Sequence, residues 1–573
     1  MTAGKYLKIF SLTLSMAYVS YLTYLSALWR VDSHHDGYVY LSAILATEGY
    51  LPPIVTNHHG IGSAMIEGRI LSLTSTSLFG YRLIGLFVIF VTAFLIYKII
   101  ALRLDNRSAF IFSLLWLAAN PSWVASLKQI PTGIQSIWPN LWIQLFTLLA
   151  LYFIISKRII LSASQIIIGI IIGTLPFFRI QGLVISFILL IYLLIYYQKL
   201  IPLVSISLGG TLLGWLSLIA NNGGIKKYLE NILFDPLTKQ DYAEFITLNS
   251  ILLNFANKFK YYVVICIIFL ILSSLLIIVK TLIQHKTVSF SYSIFSLLLL
   301  CLLAAATLKN IDIWVDTLYI HATTLLIDLS LPIAVLYLGY KSQKYFFKDK
   351  QHPNFQSGIT ILLAFIVIAN FFNQFPLSDR GHKWWSAAPS VIFLAYMSHQ
   401  KLSTKSIKVN KLNIKKFTRS LIIMTVVLSI IEGRAFQQIA RTKIQNFQIL
   451  NFNGMVYPSI DAELVSNLIK SIEILEQLEI NKVKISYVCE DGLYYVRSKG
   501  TSASAVKGLG KNTEITTPQK DSIIFICHSS RRNYLNSIRS NIVNVYTIGQ
   551  TVTDLFIVNK NSDINLTIEN LIR

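Results

Sequence analysis

The sequence predicts a polytopic α-helical membrane protein of about thirteen transmembrane helices, carrying a small C-terminal α/β domain. Three observations lead there. The chain of 573 residues is 54% hydrophobic and 13% charged, with a mean hydropathy of +0.58, more apolar than water-soluble domains are. Apolar runs of about 17 to 21 residues recur over the first three quarters, each long enough to cross a hydrocarbon core roughly 30 Å thick as a helix. After residue 433 charged residues become frequent and the long apolar runs stop.

The predicted spans are residues 8–28, 82–101, 108–127, 139–156, 161–177, 181–198, 201–220, 261–280, 290–308, 317–339, 357–373, 386–398 and 419–432. The first is read as an uncleaved helix, because no small-residue cleavage site follows its apolar core. "FFRI" around Arg179 barely separates the fifth span from the sixth, and the twelfth is short, so either place admits a re-entrant segment. With the N-terminus inside, the inner loops hold Lys98, Arg103 and Arg107, then Lys157 and Arg158, then Lys199, then Lys280 and Lys286. The dense lysine runs at 341–350 and 401–419 fall on the same side, as the positive-inside rule requires. The formal charge of +23 is therefore a topology signal and not a nucleic-acid surface. This orientation puts residues 30–81, 221–260, 374–385 and the tail from 434 outside a cytoplasmic membrane, with the transmembrane domain occupying residues 1–433.

In the tail, "DAELVSNLIKSIEILEQLEI" (461–480) has helical periodicity, and "KVKISYV", "SIIFICH", "NIVNVYTI" and "LFIVNK" are β-branched runs parted by polar turns. Residues 434–573 are thus expected to form a small extracytoplasmic α/β domain. Cys489 and Cys527 end two of the expected strands, which leaves a disulfide between them open. Cys266 and Cys301 read as small buried residues of the spans.

The chemistry concentrates in the first outer loop, "VDSHHDGYVYLSAILATEGYLPPIVTNHHGIG". Asp32, His34, His35 and Asp36 follow the first helix closely. Residues 38–48 then read as a helix along the membrane surface, stopped by Gly49 and turned by Pro52 and Pro53, before His58 and His59. A carboxylate here serves either as a general base or as ligand to a divalent cation such as Mg or Mn, with Asp36 and His35 the candidate ligands. Simple solvation of acids and histidines at a helix end is the plainer alternative.

A second cluster lies in "FPLSDRGHKWWSAAPS" (375–390), where Arg380, His382 and Lys383 precede Trp384 and Trp385. Guanidinium and ammonium groups suit phosphate oxygens, and tryptophans stack on sugars or lipid; an interfacial aromatic belt is the alternative. Lys128 and Arg179 read as outer-side cations snorkelling to the surface. "KNIDIWVDTLYIH" (309–321) adds Lys309, Asp312, Asp316 and His321 without a spacing that singles one out. The amphipathic stretch within 221–260 reads as a surface helix.

The short N-terminus, single helix and acid-bearing first outer loop, followed by "FGYRLIGLFVIFVTAFLIYKI" (79–99), resemble the GT-C superfamily of integral-membrane glycosyltransferases, which includes protein O-mannosyltransferases and lipid A aminoarabinose transferases. "HHDGYVYLSAILATEGYLPP" is similar to the superfamily's acidic motif, and "YRL" (81–83) to its second-helix start. The resemblance implies a polyprenyl-phosphate-linked sugar donor and a lipid, polysaccharide or protein acceptor. It makes Asp36 the catalytic carboxylate, with Asp32 the second choice, and Arg380, Lys383, His382 and Arg82 the donor-phosphate ligands. Substrate contacts then fall to His34, His35, His58, His59, Trp384 and Trp385. The second outer loop, "SLKQIPTGIQSIWPN", lacks the second acid that several relatives supply. Two other readings share this hydrophobic architecture. A lipid-linked saccharide flippase would want charges along its spans, which are nearly free of them. An O-antigen-type polymerase or ligase would carry its key residues in a large late outer loop, whereas here the first loop is richest.

Overall fold

The computed structural model describes residues 13–21, 23–24, 39–40, 42–44, 46–47, 61–74, 78–119, 139–221, 224–229, 327–343, 355–371, 384–399, 448–452, 455–459, 462–488, 522–526, 543–548 and 554–572. The expected spans 261–280, 290–308 and 419–432 lie outside these residues. A helical segment covers 13–21, and the described residues between 39 and 47 are helical as well.

The bundle then comprises α1 (Ile61–Leu73), α2 (Leu78–Ala101), α3 (Asn106–Ala118), α4 (Pro139–Ile155), α5 (Ser162–Thr174), α6 (Ile180–Tyr196), α7 (Ile201–Asn221), the short α8 (Ile225–Leu229), α9 (327–343), α10 (Phe355–Phe371) and α11 (Ala388–His399). Gly80–Ala101 and Gln198–Asn221 are long and apolar enough to cross a membrane, and five shorter apolar helices accompany them. Central to the packing, α2 touches α3, α4 and α11, while α5 lies along α7, and α10 on α6 and α11.

Local chemistry sets the breaks. Lys98 closes the last turn of α2, and Asp105 caps α3, its carboxylate accepting the Ser108 backbone N–H at 2.8 Å and the Ser108 hydroxyl at 2.8 Å. After α4 the chain turns through Lys157 at φ 59°. Between α5 and α6 runs a 3₁₀ turn, Leu175–Phe177, containing Pro176, followed by Arg179 in extended conformation. A Cβ on Gly182 would fall on the Leu175 carbonyl, so glycine permits this tight return. The fifth and sixth runs are thus two helices.

Each of the four β-branched runs in the tail forms a strand: β3 (Lys484–Val488), β4 (Ser522–Ile526), β5 (Val543–Ile548) and β6 (Asp554–Asn559). The sheet order is β3-β4-β6-β5, parallel between β3 and β4 and antiparallel elsewhere. Helices α12 (Ala462–Ile480) and α13 (Ile564–Ile572) accompany it. Buried Phe525 and Phe556, with ring centroids 4.9 Å apart, belong to the same core as Leu468, Leu475 and Ile568 of the helices. Ile524, Ile526, Leu555 and Ile557 make a second buried cluster, as alternation along strands directs. A buried hydrogen bond of 2.6 Å runs from the Ser471 hydroxyl of α12 to Asp554. Ahead of this sheet stands a hairpin the sequence reading omits, β1 (Gln448–Phe452) with β2 (Met455–Ser459), in which Phe452 pairs with Met455.

Candidate functional site

Among the described residues, the charged groups that the bundle buries, Glu67, Arg82 and Arg179, lie with Asn140 and Gln144 near where α2, α4, α6 and α11 begin. Their hub is the opening of α4, "PNLWIQ" (139–144), whose three polar side chains each hold a different part of the chain. Asn140 accepts a hydrogen bond of 3.0 Å from Arg179, at the N-cap of α6. Trp142 donates its indole N–H to Glu67 of α1 at 2.7 Å. Gln144 accepts the Ala388 backbone N–H at 2.8 Å and donates to the Trp385 carbonyl. The bond from Ala388 satisfies an N–H that the first turn of α11 cannot use internally.

Glu67 is 1% exposed. Burial pushes its carboxyl well above the usual carboxylate range, outweighing the Trp142 indole and the Tyr81 hydroxyl, which favour the ionised form. Aromatic rings surround this corner: Trp142 lies almost parallel to Phe178 at 6.4 Å, and Phe146 stands 5.4 Å from Phe178. Tyr81 and Arg82 are buried in the opening turns of α2, and the Tyr81 ring lies 5.6 Å from Tyr40 in the segment that follows Asp36.

Of the residues the sequence singles out, Arg82, Trp384 and Trp385 lie among those described. Arg82 sits at the polar end of the bundle, 2% exposed. Trp384 corrects its expected role as a sugar or lipid platform: fully buried, it stacks on Trp116 at 4.9 Å and donates its indole N–H to the Trp116 carbonyl at 2.8 Å. Trp385 is buried too, and both rings join the core instead of presenting a face to a ligand. Arg179 is likewise not snorkelling, because Asn140 supplies an acceptor inside the bundle. Asp32, His34, His35, Asp36, His58, His59, Arg380, His382 and Lys383 lie outside the described residues, as do all four cysteines and the 309–321 cluster. Among the described residues no three His, Cys, Asp or Glu side chains come together to hold a metal; Asp36 and His35, the expected ligands, are not among these residues. Glu67, Asn140 and Gln144 are absent from the sequence-based candidates. An acid inside "IGSAMIEGRILSL" is the signal that points to the first of them.

The architecture defines a class: a helical membrane protein whose buried charged groups, among the described residues, lie at one end of the bundle, beside the helical segment that holds Tyr40. No family model matches the chain and no curated protein matches it. It is similar to ArnT from Cupriavidus metallidurans, solved bound to undecaprenyl phosphate, with 10% identity over 98% of this chain and 99% of that one, at a TM-score of 0.43. The Archaeoglobus fulgidus oligosaccharyltransferase tethered to an acceptor peptide is similar at 11% identity over 96% of this chain and 74% of that one, TM-score 0.45. Its complex with Zn and sulfate is similar at 13% identity over 87% and 59%, TM-score 0.40. Both proteins are GT-C superfamily glycosyltransferases, the superfamily that the first outer loop resembles.

Proposed function

We propose that the chain is an inverting glycosyltransferase that moves a sugar from a polyprenyl-phosphate donor to an acceptor hydroxyl at the outer face of the cytoplasmic membrane. The observation that carries the reading is the gathering of buried polar groups, Arg82 and Glu67 among them, at the bundle end next to the segment leading out of the Asp36 motif. In this reading the donor enters from the bilayer, its phosphate held by Arg82, Arg380 and Lys383, with His382 beside them. Asp36 takes the proton of the acceptor hydroxyl. The resulting oxygen attacks the anomeric carbon from the face opposite the phosphate, and the carbon–oxygen bond to the phosphate breaks with its electron pair leaving on the phosphate. Cations aimed at that developing charge stabilise the transition state. A divalent cation held at Asp36 and His35 would supply the same neutralisation.

The test is transfer of radiolabelled sugar from a panel of polyprenyl-phosphate donors by purified protein, with and without chelator. Asp36→Asn is expected to fold and to lose activity by roughly 100-fold or more, and loss of wild-type activity with chelator assigns the cation a part. Full activity in Asp36→Asn would move the base to Asp32. Absence of transfer from every donor, with labelled lipid changing leaflet in liposomes, would replace the enzyme by a flippase.

A further inference from the structure

Glu67 stands on the helix that follows the first-loop motif, yet its hydrogen bond goes to the bundle. The Trp142 indole holds it at 2.7 Å, and both residues are buried. On the same helix the next residue, Gly68, lies so close to the 39–47 segment that a Cβ there would meet the Ala43 carbonyl oxygen at 2.7 Å and the Ala46 methyl at 2.8 Å. The contacts therefore form a chain: α4 holds α1 through Trp142 and Glu67, and α1 holds the segment that begins three residues after Asp36. An apolar side chain would pack at position 67 as well, but it would supply no directional link to the indole. Burying a carboxyl group among rings is costly unless its hydrogen bond returns something that packing alone does not.

We propose that Glu67 is a positioning residue for the transfer reaction, seating the Asp36-bearing loop on the bundle through its hydrogen bond to Trp142. The inference rests on the glycosyltransferase reading for its kinetic consequence, and on the contacts alone for its structural one. The link requires an acceptor oxygen and no negative charge, so the amide of glutamine serves in its place.

Two measurements on the full-length protein in detergent test it, on wild type, Glu67→Ala, Glu67→Gln and Trp142→Phe. Hydrogen exchange of the amides in 39–47 is expected to accelerate in Glu67→Ala and Trp142→Phe and to stay at the wild-type rate in Glu67→Gln. In sugar transfer, Glu67→Ala and Trp142→Phe are expected to lose kcat by roughly 10- to 100-fold, with donor KM within about twofold, and Glu67→Gln to restore kcat. Adding Glu67→Ala to Trp142→Phe then costs little more, because one link is removed twice. Unchanged exchange in 39–47 in Glu67→Ala overturns the proposal. So does a Glu67→Gln variant as inactive as Glu67→Ala with wild-type exchange, which would put the charge of Glu67 in the chemistry. A wild type that transfers no sugar removes the proposed function, and the exchange measurement still judges the link.

Discussion

Glu67 carries a pH signature that follows from its burial. The folded protein keeps this proton to higher pH than the unfolded chain, whose carboxylates titrate near about 4.3. Between that value and the raised folded one, the native state binds more protons, so stability falls with rising pH by up to about 1.4 kcal/mol per unit. The contribution is fully present below the unfolded value and is lost as pH rises through the folded one. Glu67→Gln has no proton to lose, so its melting temperature relative to wild type is expected to climb as pH rises above the unfolded carboxylate range; a difference that stays flat with pH would show that the carboxyl is not buried as described. Composition alone hides such a residue. Glu67 lies one position from Gly68 and two from Arg69, and reads as one charge of a loop until its helix is seen packed. Arg179 is misread for the same reason: hydropathy places a cation at a span end, whereas the Asn140 acceptor that draws it inside comes from a residue 39 positions away. The tryptophans at 384 and 385 show the converse, since their place beside three cations suggests a ligand platform, while the stacking partner Trp116 lies far off in sequence.

Two glycines divide the helical elements into those locked by close approach and those that are not. Gly182 opens α6 against the Leu175 carbonyl, so Gly182→Ala forces the turn between α5 and α6 apart and pulls Arg179 from Asn140. A loss of about 2 kcal/mol or more is expected, read as a lowered melting temperature in detergent. Gly209, in the middle of α7, has nothing within 4 Å of a built Cβ among the described residues, and Gly209→Ala is expected to stabilise slightly, by about 0.5 to 1 kcal/mol from helix propensity. Equal effects of the two substitutions would refute the difference in packing. At this scale hydropathy is a good guide to helices, because a run of apolar residues states its own burial. Helix ends are less legible, since a close approach such as that at Gly182 depends on the neighbouring turn. The β1–β2 hairpin was open to a sequence reading: its strands are joined by Asn453-Gly454, the pair most favourable for a two-residue turn. Weak alternation in the flanking "QILNF" and "MVYPS" hides it, in contrast to β4, whose five residues are all buried and whose apolar run announces the strand.

The distribution of charge over the two ends of the bundle bears on the whole molecule. Lys98 at the close of α2, Lys157 and Arg158 between α4 and α5, and Lys199 between α6 and α7 mark the ends where the even-numbered helices finish. Arg82, Arg179 and Glu67 lie instead near where α2, α4 and α6 start, all three buried, with Glu67 and Arg179 hydrogen-bonded within the protein. Only exposed loop cations take part in the positive-inside rule, so in the proposed orientation the first set faces the cytoplasm and the end holding Glu67, Arg82 and Arg179 opens outward. The alternation itself was legible from lysine spacing, whereas the burial of the second set was not, because it depends on contacts between distant helices. Parity beyond α7 depends on spans 261–280, 290–308 and 419–432, and a reporter decides it. Alkaline phosphatase, active only outside the cytoplasm, is expected to be inactive when fused after Lys157 and active when fused after Arg573, with β-galactosidase giving the reverse. Activity at both positions would invert the first half of the molecule and place Asp36 beside the cytoplasm, where a lipid-linked donor on the outer leaflet cannot reach it. Activity at neither would leave the site outward and return the C-terminal sheet to the cytoplasm, which removes it from any part in recognising the acceptor.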